Sequence, residues 1–153
     1  HRACPEDWEL HLSSIFTEAR LKTYIEIRGV DCQKSALGLS VAALIKGIFY
    51  HSESRKKAWQ LVADLSVEER KRLLADVPRQ ALKTPFKGGT LLEPARRLYE
   101  WGREGLRKDE TKYLEPLQQL LERGKSPAET LVECWEGLTA ENRVRKILEC
   151  AEV

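Results

Sequence analysis

The residues of this chain whose types and spacing could do chemistry lie in one short run, from Leu21 to Gly29, which reads LKTYIEIRG. Ile25 and Ile27 alternate there with polar residues, a pattern typical of a β-strand. Because successive side chains of a strand point to opposite faces, we expect Glu26 and Arg28 to lie side by side on one face. A carboxylate is a ligand for Mg²⁺ and a guanidinium binds phosphate oxygens, so this pair could hold a metal–phosphate complex. The alternative is an ion pair on a solvated face of the strand.

The elements that must position this strand are predominantly helical. From residue 35 to residue 151 the apolar residues recur at helical spacing, without a linker, a repeat or a low-complexity segment. Ser66 and Ser126 each begin a Ser-x-x-Glu capping box, which marks the start of a helix. The sequence therefore predicts an α+β fold class that is mostly helical, a helical domain with a few strands. We expect residues 1–153 to form a single domain, with a strand at 21–29 followed by helices over 35–151.

The spacing of the large apolar residues predicts which of them lie in the core of these helices. A helix over 35–51 is predicted to bury its large apolar residues, Leu37, Val41, Leu44, Ile45, Ile48 and Phe49. Gly47, together with Gly38, suggests a close approach of this helix to the sheet. Trp59 is predicted to be buried in the next helix, and the helix that begins after Ser66 is predicted to end before Pro78.

Composition limits the class of protein. The chain has 153 residues, 42% hydrophobic and 33% charged, and a formal net charge of +2, so it can bury a core but creates no strong electrostatic field. We therefore expect no nucleic acid and no membrane as partners, and a nucleic-acid-binding helical domain is the least favoured reading. Cysteines at positions 4, 32, 134 and 150 lack C-x-x-C spacing, and free thiols are expected. Methionine is absent, which indicates a fragment, a processed chain or an incomplete record of methionines.

Three blocks of sequence resemble one protein family. With its flanks, the strand reads DWELHLSSIFTEARLKTYIEIRGVD over residues 7–31, which is similar to the D-W-x-x-H-L-(T/S)-(T/S)-hydrophobic-F-P-E-V-R-L-K-x-Y-hydrophobic-E-x-R-G-A-D run of the plant and proteobacterial type of glutamate–cysteine ligase (γ-glutamylcysteine synthetase). Residues 82–86, LKTPF, and residues 124–131, GKSPAETL, resemble two later segments of that family, in the same order. The resemblance implies the C-terminal portion of a glutamine-synthetase-like ligase fold.

The resemblance also implies a reaction. ATP phosphorylates the γ-carboxylate of glutamate, and the amine of cysteine then attacks the acyl phosphate to form γ-glutamylcysteine, the first step of glutathione biosynthesis. ATP and Mg²⁺ are the implied cofactors, and glutamate and cysteine the implied substrates. An enzyme of this kind would be cytoplasmic, or in a plastid if the source is a plant.

Carried over residue by residue, the family motif assigns roles to four side chains. Glu26 would be the metal ligand. Arg28 would be catalytic and cofactor-binding, holding the transferring phosphoryl group, and Arg20 would be catalytic or bind a substrate carboxylate. Tyr24 would lie close enough to bind substrate.

The chain departs from the family pattern in two places. The family's F-P-E-V reads FTEA over residues 16–19, and the helix that the family writes L-P-A-hydrophobic-W-V-G-L-L-Y-D reads VAALIKGIFYH over residues 41–51. No glycine-rich phosphate loop is present in the sequence. We therefore expect the missing N-terminal part, or a companion chain, as a partner that completes the ATP site. The alternative function is a non-catalytic helical interaction module that keeps the scaffold without a complete ATP site.

Overall fold

The structure is a computed structural model that describes residues 3–31 and 33–151, apart from the side chains of residues 147, 150 and 151. The chain divides into two compact units, His1–Cys32 and Gln33–Val153. The single domain expected over residues 1–153 stays a prediction. Within the described part the architecture is mostly helical with two small two-stranded sheets, which confirms the predicted class.

The first unit is a helix followed by a β-hairpin. Helix α1 spans Pro5–Ser14, strand β1 spans Ala19–Leu21 and strand β2 spans Ile25–Ile27. The single strand predicted over residues 21–29 is therefore wrong, because the chain reverses at residues 22–24 and the two short strands pair antiparallel. A lone strand leaves its backbone donors and acceptors unpaired, and this reversal pairs them within the unit.

The second unit contains the remaining helices and a second hairpin. Its helices are α2 (Ser35–Phe49), α3 (Ser52–Val62), α4 (Val67–Gln80), α5 (Leu92–Glu104), α6 (Glu115–Arg123), α7 (Pro127–Trp135) and α8 (Ala140–Ala151). Strands β3 (Pro85–Phe86) and β4 (Gly89–Thr90) pair antiparallel. The capping boxes at Ser66 and Ser126 are both formed, which confirms the helix starts predicted there.

The core of the second unit lies where α2 meets α5 and α6. Its buried apolar side chains are Ala43, Tyr99, Leu114 and Leu121. The buried positions of α2 are small, Ser40, Ala43 and Gly47, and a Cβ added to Gly47 would overlap the Gly102 carbonyl oxygen of α5. The close approach predicted at Gly47 is therefore to a helix and not to a sheet.

Two of the large side chains predicted in the core lie at the surface. Phe49 is 47% exposed and Trp59 is 62% exposed. Small residues let α2 and α5 approach each other closely. Bulky side chains beside this contact, such as that of Phe49 in α2, therefore stay outside it. Pro78 also lies inside α4, which continues to Gln80. Proline has no N–H to donate, so one backbone hydrogen bond is missing from the last turn of α4. The missing bond lies beside Leu74, which is exposed, so water can take its place.

Two buried serines join the helices through backbone carbonyls. Ser40 Oγ donates to the Tyr113 carbonyl oxygen at 2.6 Å, and Ser54 Oγ donates to the Trp101 carbonyl oxygen at 2.6 Å. Both serines are fully buried, so each bond lies in a low-dielectric interior.

Among the described residues, no helix has the length and apolar character needed to cross a membrane. The thiols of Cys4 and Cys134 are free, as expected. The prediction for Cys32 and for the thiol of Cys150 lies outside the described residues and side chains.

Candidate functional site

The hairpin of the first unit brings together the charged residues that the sequence singled out. In its antiparallel register Arg20 of β1 lies directly opposite Glu26 of β2. Residues directly opposite in a hairpin have their side chains on the same face and in contact. Strand pairing therefore brings Arg20, which lies six residues before Glu26 in the chain, beside the predicted pair of Glu26 and Arg28.

Arg20 uses its guanidinium within the unit. Its Nε donates to Glu26 Oε2 at 2.8 Å, and Nη2 lies 2.8 Å from the same oxygen. Its Nη1 donates to the Ser13 carbonyl oxygen at 2.9 Å, near the C-terminal end of α1. The side chain is only 16% exposed. Arg20 thus fixes the Glu26 carboxylate and ties the hairpin to the helix.

Arg28 lies on the other side of the same carboxylate. Its Nη1 is 3.7 Å from Glu26 Oε2, which agrees with the prediction that Glu26 and Arg28 share one face. The backbone N–H of Arg28 donates to the Glu18 carbonyl oxygen at 2.8 Å, and the guanidinium carbon lies 4.8 Å from the centre of the Phe16 ring. Arg28 is therefore held more loosely than Arg20, by one aromatic face and one long ion pair.

The cations around Glu26 keep it ionised. The pKa of Glu26 is lowered from its ordinary value of 4.5, first by the hydrogen bond from Arg20 and then by the charges of Arg20, Arg28 and Lys22. Within the described residues its Oε2 takes the hydrogen bond and the ion pairs, while Oε1 has no hydrogen-bond partner. Thus Arg20 and Arg28 hold Oε2 of this carboxylate, and Oε1 is the oxygen that could bind a ligand.

A magnesium ion fits this arrangement only in part. Mg²⁺ is usually bound through one or two carboxylates, with waters and substrate phosphates completing the octahedron. Glu26 can supply one carboxylate. No group of three or more acidic, histidine or cysteine side chains suited to a metal occurs in the part of the chain that the structure describes. A metal here would need further ligands from phosphate, water or residues outside this chain.

An open groove lies beside the charged cluster, within the same unit. Its volume is about 660 Å³, and it is formed by the end of α1, the connection to β1 and the hairpin turn. The residues that line it are Glu9, Leu12, Ser13, Ile15, Thr17, Ala19, Arg20, Leu21, Lys22 and Thr23. The walls are mostly apolar. The lining also includes charged residues, Glu9 at its start in the chain and Lys22 near its end.

The structure therefore brings together three of the four predicted site residues, Arg20, Glu26 and Arg28. Tyr24 lies in the hairpin turn, is 59% exposed and makes no side-chain hydrogen bond within the described residues. Sequence reasoning missed Phe16 and the groove. Phe16 precedes the hairpin, and an aromatic residue there is only a weak signal for a cation–π contact. Its partner, Arg28, is set by the pairing register of β1 and β2, which the sequence did not reveal.

Comparison with known proteins gives one consistent result. The family model of glutamate-cysteine ligase family 2 (GCS2) matches residues 1–147. The chloroplastic glutamate–cysteine ligase of Solanum lycopersicum is 37% identical over 134 residues, which cover 86% of this chain and 26% of that protein. The enzymes of the same name from Nicotiana tabacum and Arabidopsis thaliana are 37% and 35% identical over the same shares. The chain spans about a quarter of the length of these relatives.

Proposed function

The chain belongs to glutamate–cysteine ligase family 2, and from that membership we propose that it forms the C-terminal part of an ATP-dependent ligase that makes γ-glutamylcysteine. The observation that carries the proposal is the family match over residues 1–147, since it includes the whole hairpin. The paired charges on that hairpin support it, because the reaction must neutralise phosphate and carboxylate groups.

The proposed reaction has two steps. An oxygen of the glutamate γ-carboxylate bonds to the γ-phosphorus of ATP, and the bond to ADP breaks. The cysteine nitrogen then bonds to the γ-carbon of the acyl phosphate, inorganic phosphate leaves, and the nitrogen loses a proton. Both steps bring negatively charged groups together, so catalysis depends mainly on positioning and on stabilising charge.

We propose that Glu26 is the protein ligand of a Mg²⁺ ion that accompanies ATP. The carboxylate is ionised and oriented before any ligand arrives, and its Oε1 is available. When bound, the ion would supply positive charge against the phosphate oxygens. A carboxylate that is already fixed loses little conformational entropy when a metal ion binds to it, and this favours binding.

We propose that Arg28 contacts the transferring phosphoryl group. Its guanidinium is only partly exposed and has a long ion pair, so donors remain for a phosphate. Arg20 is proposed to orient Glu26, because its donors already bind Glu26 and the Ser13 carbonyl oxygen. A direct contact of Arg20 with a substrate carboxylate would require breaking one of these bonds, and a substrate role for Tyr24 stays a prediction.

The first unit is also proposed to be covered by further protein. None of residues 3–31 is fully buried, and large side chains such as Phe16, Leu21 and Ile25 are 78%, 82% and 65% exposed. A two-stranded hairpin with an exposed apolar surface is marginal by itself. We propose that the N-terminal part found in the relatives, or a companion chain, packs on it and completes the ATP site. The compartment is proposed as a plastid in a plant, in line with the chloroplastic relatives, with the cytoplasm as the other prediction.

One observation favours the second candidate function, a non-catalytic helical module. Within the described residues Glu26 belongs to no group of three or more acidic, histidine or cysteine side chains that could hold a metal ion. A chain that kept the hairpin for stability alone would show the same ion pairs.

The test replaces the matching segment of the tomato ligase with residues 1–147 of this chain. The purified chimera should form ADP only when glutamate, cysteine, ATP and Mg²⁺ are all present. Calorimetry of the 153-residue chain alone with MgATP and glutamate would show whether it binds either one unaided. A folded chimera that binds no nucleotide and releases no ADP would support the module instead.

A further inference from the structure

The guanidinium of Arg28 has N–H donors that the first unit does not use. Within the described residues these groups make no hydrogen bond, and the ion pair with Glu26 Oε2 is 3.7 Å long. The side chain is 28% exposed. Hydrogen bonds therefore do not fix the plane of this guanidinium, although its planar fork must be turned towards a phosphate to bind two oxygens.

The ring of Phe16 is the contact that restrains this guanidinium. The Cζ atom of Arg28 lies over the ring, 4.8 Å from its centre. This distance is within the limit of about 6 Å for a cation–π contact. A contact of this kind attracts the cation without requiring an N–H donor, so the donors stay available to a phosphate.

The backbone on both sides of this contact is held together. The Arg28 N–H donates to the Glu18 carbonyl oxygen at 2.8 Å, and Thr17 Oγ1 donates to the Ala19 carbonyl oxygen at 2.7 Å. Phe16 is 78% exposed, so its ring adds little to the burial of apolar surface within the unit. The ring and the guanidinium thus belong to two segments that are hydrogen-bonded to each other.

Gly29 gives a second indication that these two segments lie close together. A Cβ atom added to Gly29 would overlap Glu18 Oε2. The missing side chain therefore leaves room for the Glu18 carboxylate beside the residue that follows Arg28. The segment that carries Phe16 lies against the end of the strand that carries the guanidinium.

We propose that Phe16 is a positioning residue of the ligation, whose ring holds the Arg28 guanidinium in the orientation that meets the transferring phosphoryl group. This inference rests on the proposed function. Phosphoryl transfer depends on placing positive charge accurately at the phosphate oxygens, so a guanidinium that rotates freely slows the reaction. Phe16 contacts no reacting atom in this account, and its effect passes through Arg28.

The test measures kcat of the chimera with Phe16→Leu, which keeps an apolar side chain and removes the ring. We expect kcat to fall by about tenfold, with less than about twofold change in the KM for ATP, glutamate or cysteine. Phe16→Trp should keep kcat within about twofold of the parent chimera, because the indole ring attracts a cation more strongly. Phe49→Leu, the same change at an exposed position of α2, is the matched control and should leave kcat unchanged.

A double variant shows whether Phe16 acts through Arg28. When Arg28→Lys is already present, the chimera has no planar fork for the ring to orient. Adding Phe16→Leu should then lower kcat by less than about twofold further, so the two effects should not add. Thermal unfolding of each variant checks that the chimera stays folded.

The outcomes separate this inference from the function on which it rests. An active chimera in which Phe16→Leu keeps kcat within about twofold of the parent would overturn the inference alone. A tenfold loss that persists in the presence of Arg28→Lys would also overturn it, because Phe16 would then act on another group. A folded but inactive parent chimera would overturn the proposed function and the inference together.

Discussion

Arg20 and Glu26 face each other across the hairpin, with Arg20 Nε and Nη2 both 2.8 Å from a single carboxylate oxygen. One oxygen of Glu26 is thereby held, while the other has no hydrogen-bond partner among the described residues. The hydrogen bond from Arg20 is the largest cause of the lowered pKa of Glu26. The same contact therefore determines both the orientation and the charge of the proposed metal ligand.

Removing Arg20 should raise the pKa of Glu26 towards its ordinary value of 4.5. In Arg20→Gln the hydrogen bond and the nearest positive charge are both lost, and only the weaker effects of Arg28 and Lys22 persist. Carboxyl ¹³C shifts followed against pH measure this directly. Lys22→Gln, which removes a smaller Coulombic contribution, should raise the pKa less. A pKa that is the same in both variants would contradict the assignment of Arg20 as the orienting residue.

The glycines of α2 should differ sharply in their tolerance of alanine. In Gly47→Ala the new methyl group overlaps the Gly102 backbone, so we expect destabilisation of about 3 kcal/mol or more. Gly38→Ala is the matched control in the same helix, because nothing lies within 4 Å of its Cβ position. That variant should gain about 0.5–1 kcal/mol through helix propensity. Urea unfolding gives both values, and equal effects would contradict the glycine contact between α2 and α5.

Ser54 should stabilise the packing of α3 on α5. Ser54→Ala leaves the Trp101 carbonyl oxygen without the hydroxyl that donates to it at 2.6 Å, inside a buried contact. We expect a loss of about 1–3 kcal/mol in the free energy of unfolding. Ser52→Ala, at an exposed position of the same helix, should change stability by less than about 0.5 kcal/mol. Equal losses in the two variants would show that the buried bond contributes nothing specific.

Glu129 should make stability depend on pH. Lys83 and the backbone of Ser126 lower its pKa from 4.5 to about 2. Because the folded-state pKa is lowered, the stabilisation is complete above pH 4.5 and is lost as pH falls towards 2. The Lys83 side chain is 70% exposed, so solvent screening keeps the contribution small.

We expect Glu129→Gln to cost about 0.5–1 kcal/mol at pH 7, since glutamine can still form the capping box. The difference from the parent chain should shrink on acidification below pH 4.5. Chemical unfolding at a series of pH values measures this difference. Glu136→Gln, at an exposed position without an ion pair in the described residues, should show no such trend. A difference that persists at low pH would contradict the ionic origin.

Local signals in the sequence were sufficient for much of the fold. The capping boxes at Ser66 and Ser126 depend on four neighbouring residues, and both are formed. Gly124 adopts the left-handed conformation with φ of 63° and ends α6, a position for which glycine has little steric penalty. The alternation of Glu26 and Arg28 likewise placed both side chains on one face. Each of these features is decided within a few residues.

Features that depend on tertiary contacts were not predictable in the same way. The reversal at residues 22–24 contains no glycine, proline or asparagine, so the usual signals of a hairpin turn are missing there. The sequence therefore did not reveal that Arg20, in β1, is the partner of Glu26. The surface position of Phe49 follows from a contact of α2 made by small residues, whereas spacing alone assigns large residues to the core.

The central claim is that Arg28 acts on the transferring phosphoryl group, and the most direct measurement is the kcat of the chimera with Arg28→Lys. Lysine keeps the charge but lacks the planar fork that binds two oxygens. We expect kcat to fall by about 100-fold or more, with a smaller change in the KM for ATP. Arg79→Lys, at an exposed position of α4, is the control and should leave kcat unchanged. A kcat for Arg28→Lys within about threefold of the parent chimera would contradict the claim.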